Sequence, residues 1–396
     1  MELKHGIHLA YCTNVHRGGD WEETFQSLQN DVMRVRAAVC PVQPYAIGLR
    51  LGAKAAKELS DPAKLLAFQR WLGDNDSYVF TINGFPYGQF HGTRVKEQVY
   101  VPDWSKQERL EYTNLLFDIL SALLPEGIPG SVSTLPGSFK EFYQKGADGN
   151  FDVPGSLFTN LKDCHSHVEA LCRKNGQDLH LGLEPEPLGL FETTQETIDF
   201  LDTLGKKAFG NDGAWKQRIG VNYDTCHLAI EFEEPSQALS SFVASGYRLS
   251  KIHLSSALSL IPTRQAIEGL AEYHEPVYLH QVVASREGKA IHRWKDVDLA
   301  LQDGAAQSYG GLWEEWRVHF HVPLHSSPQA PYSDTRNHVL GTLDFLKTTP
   351  GSCQHLEMET YTWEVLPEGL RTGDVVDQIV EEYKWTLGEM KVRGIA

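Results

Sequence analysis

The chain has 396 residues, 41% hydrophobic and 22% charged, the composition expected of a globular protein with ample core. A formal net charge of −16 argues against a broad polyanion-binding surface, because phosphate contacts dominate nucleic-acid affinity. Six scattered cysteines without a Cys-x-x-Cys pair, an amino terminus without a secretory pattern, and no window near ~18 consecutive apolar residues point to a cytoplasmic chain with reduced thiols and no membrane span. A small-molecule substrate is expected as partner and nucleic acid is not; the oligomeric state is not readable.

Strand and helix patterns alternate from end to end. Residues 6–12 open as a strand, and Asp20 precedes a helix with apolar residues at Phe25, Leu28, Val32 and Val35, a helical spacing. Strands follow at 45–51 and 78–83, separated by a helix carrying Leu65, Phe68 and Trp71. A long loop covers 84–104, after which Ser105-Lys-Gln-Glu108 reads as a capping box for a helix holding Leu116, Ile119, Leu120 and Leu123. The fourth strand is 130–135, and Leu157, Leu161, Cys164, Val168 and Leu171 mark the next amphipathic helix. Strands at 180–186, 219–226 and 249–255 come next, with Thr193 capping the helix after the fifth. Residues 258–314 read as an insertion with a hairpin at 277–283 and 290–294, and 316–324 as an extra strand at the mouth. The eighth strand is assigned to 353–361, with 316–324 the alternative.

Eight strand–helix units favour one α/β domain, a (β/α)8 TIM barrel over 1–396, with an inserted hairpin region at about 258–325 between strands 7 and 8. An open doubly wound sheet normally carries a glycine-rich turn after its first strand, and Tyr11-Cys-Thr-Asn-Val-His-Arg is no such fingerprint.

The chemistry-bearing residues sit where these strands end. Glu184 follows Leu181-Gly-Leu, Asp224 and His227 form an Asp-x-x-His pair, His253 lies in Lys251-Ile-His-Leu, and Glu359 closes Leu356-Glu-Met-Glu. In a parallel barrel every strand's carboxyl end faces one mouth, so Glu184, Asp224, His253 and Glu359 would converge as ligands of a divalent metal ion. Hard oxygen ligands with one imidazole suit Mn²⁺, Mg²⁺, Co²⁺ or Zn²⁺. Two carboxylates beside a metal-held hydroxy-ketone could take a proton from one face and return it. Glu357 shares a face with Glu359; the latter, nearer the strand end, is the better ligand. Asn14 and His16 after the first strand, Asn83 and Phe85 after the third, Glu186, and His319 and His321 in His-Phe-His are candidates for touching a small polar substrate.

These residues resemble the xylose isomerase-like TIM barrels, the sugar isomerases and epimerases, over most of the chain. Leu-Gly-Leu-Glu-Pro-Glu-Pro, Asn-Tyr-Asp-Thr-Cys-His, Lys-Ile-His-Leu and Leu-Glu-Met-Glu-Thr-Tyr carry the resemblance. It implies Glu184, Asp224, His253 and Glu359 as metal ligands, the two glutamates as proton carriers, and His227 on substrate oxygens. More narrowly, the Leu-Ala-Tyr-Cys-Thr-Asn-Val-His start, Asn83-Gly-Phe-Pro-Tyr and Glu-Thr-Tyr-Thr-Trp are similar to the EboE family of metabolite traffic proteins. The leading expectation is a metal-dependent isomerase or epimerase on a sugar, polyol or related metabolite; the alternative is a non-catalytic metabolite-binding barrel serving trafficking. Endonuclease IV-like phosphodiester hydrolysis would need a multi-metal cluster and a basic face, which the net charge opposes.

Overall fold

The computed structural model describes residues 1–89, 91, 95–146, 151–210, 212–308, 312–371 and 373–396. Eight parallel strands form the barrel: β1 (His8–Tyr11), β2 (Tyr45–Arg50), β3 (Ser77–Asn83), β4 (Gly130–Thr134), β5 (Leu179–Leu183), β6 (Ile219–Asp224) and β7 (Leu249–Leu254), with the eighth much later at His355–Met358. Between them in sequence lie β8 (Ala257–Leu260), β9 (Val282–Arg286), β10 (Lys289–Trp294), β11 (Glu315–His321) and β12 (Tyr332–Asp334), so the eighth barrel strand is β13. The barrel order is β1-β13-β7-β6-β5-β4-β3-β2, and a parallel bridge from Cys12 to Gly48 brings the two edges together. Assigning the last barrel strand to the 353–361 segment therefore holds, and 316–324 belongs elsewhere.

Helices pack around the barrel because their apolar stripes demand it. In Gly155–Asn175 the buried Leu157, Leu161, Cys164, Val168 and Cys172 recur every three or four residues and join the main core. Asp20 and Thr193 cap their helices through the side chain, accepting from the backbone of Glu23 and Glu196. The capping box at Ser105 does not form. That helix, Gln107–Leu123, starts at an N-cap of Lys106 with no side-chain bond, and Ser105 instead binds Asp103 Oδ1 through its hydroxyl (2.6 Å) and amide (2.9 Å). Asp103, the nearer and stronger acceptor, wins the hydroxyl.

The insertion is larger than a hairpin. It forms a five-stranded antiparallel sheet, β10-β9-β11-β8-β12, over its own apolar cluster that includes Leu258, Ile267, Trp294, Trp316 and Phe320. The hairpin is real, but its first arm is Val282–Arg286, not 277–283. The His-Phe-His strand lies inside this sheet: β11 pairs with β8 on one side and β9 on the other. Two of the five strands have only three or four residues, too short to show a period in the sequence.

Side-chain alternation stacks the barrel interior in layers. Along β13, His355, Glu357 and Glu359 succeed one another toward the mouth, and along β7 Lys251 and His253 do the same. His355 bonds Ser131 low in the barrel (2.8 Å), and Lys251 pairs with Glu357 above it (2.7 Å), both members fully buried. The Glu357 layer needs a glycine opposite: a Cβ on Gly48 would fall 2.0 Å from Glu357 Oε1 and 2.6 Å from the Tyr11 carbonyl. Among the described residues, no helix is long and apolar enough to cross a membrane.

Candidate metal centre

Four neighbouring strands deliver four groups to one point at the mouth. Glu359 follows β13, His253 lies in β7, Asp224 ends β6 and Glu184 follows β5, in the order the strands stand in the sheet. Their ligand atoms all lie within 4.8 Å of one another. His253 Nδ1 stands 3.2 Å from Glu184 Oε1, 3.2 Å from Glu359 Oε2 and 3.6 Å from Asp224 Oδ2. Ligands about 2.1 Å from a shared ion sit at similar spacings.

Each group has one atom anchored and one presented. Glu184 Oε2 accepts from the Asn222 amide (2.7 Å), which leaves Oε1 facing His253. Glu359 Oε1 accepts from Asn14 (2.8 Å) and Asn83 (3.0 Å), which leaves Oε2. Asp224 caps the helix Thr225–Ile230: its Oδ1 accepts from the amides of Cys226 (2.7 Å) and His227 (3.2 Å) and from the Ser255 hydroxyl (2.5 Å). Its Oδ2 is buried with no hydrogen-bond partner, an expensive state unless something binds there. His253 donates Nε2–H to Glu357 Oε2 (3.0 Å), so its neutral form turns an Nδ1 lone pair to the cluster.

Electrostatics report the same strain. Burial opposes a charge on His253, but Glu359 and Glu184 outweigh it and hold its pKa well above the ordinary value. Burial would raise the Asp224 carboxyl, yet the facing imidazoles of His227 and His253 keep it well below the usual range. Glu357, opposed by burial but paired with Lys251 and His253, is pulled down to about 2. A divalent cation would supply the positive charge that Glu184, Asp224 and Glu359 otherwise draw from the His253 imidazole. The donor set fits Mn²⁺, Mg²⁺, Co²⁺ or Zn²⁺.

Two of the four, Glu184 and Glu359, line a cleft of about 570 Å³, open entrance included. Asn14, Asn83, Phe85, Glu186, His227 and His319 line it as well. His321 is buried behind His319, its Nδ1 donating to the Glu359 carbonyl (2.7 Å). His16 does not reach the cleft. It lies in the wall, bonded to the Tyr11 hydroxyl (2.8 Å), and its short 3-10 turn (Thr13–Val15) sends Asn14 inward instead. Glu186 is buried, and burial together with the neighbouring Glu184 pushes its carboxyl well above the usual range.

Sequence reasoning missed several members. Asn222 alternates with Asp224 along β6, a signal that parity could have supplied. Gln281, Tyr278 and Lys96 reach the cleft from the insertion and the long loop, where no periodicity marks them. Positions 90 and 92–94 of that loop lie outside the described residues.

No family model matches this chain, and no curated protein matches it. Similar solved structures exist. One is a xylose isomerase domain protein from Planctomyces limnophilus, 15% identical, covering 92% of this chain and 94% of that one at a TM-score of 0.49. Another is the IOLI protein with a bound zinc atom, 10% identical, covering 98% and 99% at 0.46. A third is a D-tagatose 3-epimerase-like protein, 9% identical, covering 98% of both at 0.49. The chain's own strands define its class, an eight-stranded α/β barrel with an antiparallel sheet inserted before the last strand.

Proposed function

We propose that this protein is a divalent-metal-dependent isomerase or epimerase that moves a proton at a carbon beside a carbonyl of a sugar, polyol-derived or related small metabolite. The observation that carries the reading is the anchoring pattern: Glu184, Asp224, His253 and Glu359 each have one atom fixed by neighbours and one turned to a common point. Those four residues would hold the ion, which when bound would polarise the substrate's carbonyl and hydroxyl oxygens and acidify the carbon between them.

The chain's own groups do the rest. Glu184 and Glu359 come from the outer two of the four strands and flank the centre, so one carboxylate takes the proton and the other returns it. Asn222 on one side, and Asn14 with Asn83 on the other, keep the carboxylates from rotating away. Phe85, Tyr100 and Tyr361 wall the cleft and exclude water, while Glu186 and His227 offer polar contacts to substrate oxygens.

The test is proton exchange in D₂O. Metal-loaded protein is incubated with a panel of free ketoses, aldoses and hydroxy-ketones, and deuterium at the carbon next to the carbonyl is followed by NMR. Incorporation with at least one member is the expected result. Tight binding of panel members without any incorporation would favour the non-catalytic metabolite-binding barrel that the resemblance to metabolite traffic proteins suggests.

A further inference from the structure

Two kinds of chain line the cleft. Barrel strand ends and the turns after them supply polar groups, among them Asn14, Asn83, Glu184 and Glu359. An apolar wall comes from outside the barrel. The loop after β3 contributes Val95 and Val99, and the segment of the insertion ahead of β9 contributes Tyr278 and Leu279. Val95 and Tyr278 belong to one buried apolar cluster with Tyr361, and Val99 and Val277 pack against it. The Tyr278 and Tyr361 rings meet edge to face, 5.2 Å between centroids.

Hydrogen bonds fix this wall in place. The amides of Val95 and Lys96 both donate to the Val277 carbonyl (2.8 and 2.9 Å), and those of Val277 and Tyr278 donate to the Glu275 carboxylate (2.7 Å each). Lys96 Nζ donates to Asp296 Oδ2 (2.5 Å) and to the Glu275 carbonyl (3.1 Å). Loop and insertion are thereby locked together, so the apolar face is presented without an ordering cost.

Charge decides what can cover that face. Glu184, Glu186 and Glu359 line the cleft, and among the described lining residues Lys96 is the single Lys or Arg. Its ammonium is committed. The Lys96–Asp296 pair is buried, the side chains 8% and 11% exposed, and releasing one member would leave the other an unpaired buried charge. A phosphate or carboxylate on the ligand would meet three glutamates with no counter-charge from these residues. A neutral apolar group meets a surface of its own kind.

We infer that the cleft takes an uncharged hydroxy-ketone or hydroxy-aldehyde that carries an apolar substituent, its polar head toward Glu184 and Glu359 and its substituent against Val95, Val99, Tyr278 and Leu279. The head rests on the proton-transfer reading above; the substituent rests on the wall. A sugar phosphate is disfavoured by the same charges.

Three ligands that share a 1-hydroxy-2-ketone head test this on metal-loaded, desalted protein: 1,3-dihydroxyacetone, its phosphate ester, and 1-hydroxy-4-phenylbutan-2-one. Affinity is read by calorimetry, and turnover by deuterium uptake at the hydroxyl-bearing carbon. The phenyl ketone should bind at least about 10-fold tighter than dihydroxyacetone, the order expected for covering a ring, and the phosphate ester more weakly than dihydroxyacetone. Leu279→Ala should shrink the first ratio by about threefold or more, as apolar cover is lost. Asp296→Asn, which frees the Lys96 ammonium, should raise affinity for the phosphate ester. Equal binding of the phenyl ketone and dihydroxyacetone, tightest binding of the phosphate ester, or no binding of any of the three would overturn the assignment. The expected order of affinities without deuterium uptake from any ligand would uphold the ligand class and sink the proton-transfer reading alone, so the two failures are distinct.

Discussion

Glu359→Gln is expected to lower turnover by about 10³-fold, within the usual worth of a general acid–base group, while the fold stays intact. The substitution is conservative where structure matters. The glutamine oxygen still accepts from Asn14 and Asn83, which hold Glu359 Oε1 at 2.8 and 3.0 Å. What disappears is the negative Oε2 that faces His253 Nδ1 at 3.2 Å, and with it the ability to accept a proton. The deuterium-exchange rate and the thermal midpoint, measured on one preparation, separate the two effects. Turnover equal to wild type would remove Glu359 from any acid–base role.

The second large effect lies one layer deeper. Lys251→Met should destabilise the protein by about 3–5 kcal/mol, the cost of leaving one member of a buried ion pair unpaired. Lys251 and Glu357 are fully buried, 2.7 Å apart, and the backbone at Gly48 leaves no slack around Glu357. Glu357 also accepts from His253 Nε2 at 3.0 Å, so disturbing it should weaken metal affinity by about 10–100-fold, as for other groups that orient a ligating histidine. Replacing both partners, Lys251→Met with Glu357→Leu, should restore most of the stability and none of the affinity. Denaturant unfolding and metal titration of the three proteins check this; a double variant with wild-type affinity would show that Glu357 does not orient His253.

The cluster of Glu184, Asp224, His253 and Glu359 at the mouth is legible in the sequence because its residues obey two simple rules. Each acid or imidazole ends an apolar run, and each strand alternates inward residues, so Leu356-Glu-Met-Glu places Glu357 and Glu359 on one face and Lys251-Ile-His places Lys251 behind His253. The inserted sheet obeys neither. β8 and β12 have four and three residues, and β11 gains its neighbours from segments far away in sequence, so in the sequence the His319–His321 strand reads only as an extra strand at the mouth. His16 shows the limit of reading loops: after β1 the chain makes one 3-10 turn, and only the fold decides that Asn14 faces the cleft while His16 faces Tyr11.

The proposed function stands on Glu184, Asp224, His253 and Glu359 binding a divalent ion. Elemental analysis by inductively coupled plasma mass spectrometry tests it most directly, on wild type and a Glu184→Ala/His253→Ala double variant, each loaded with manganese, cobalt or zinc and then desalted. Bound metal is expected in wild type and one ion fewer per chain in the double variant, with Lys251 and Glu357 still paired and the fold retained. Equal metal content in the two proteins, or a wild type that stays empty after loading, would contradict it.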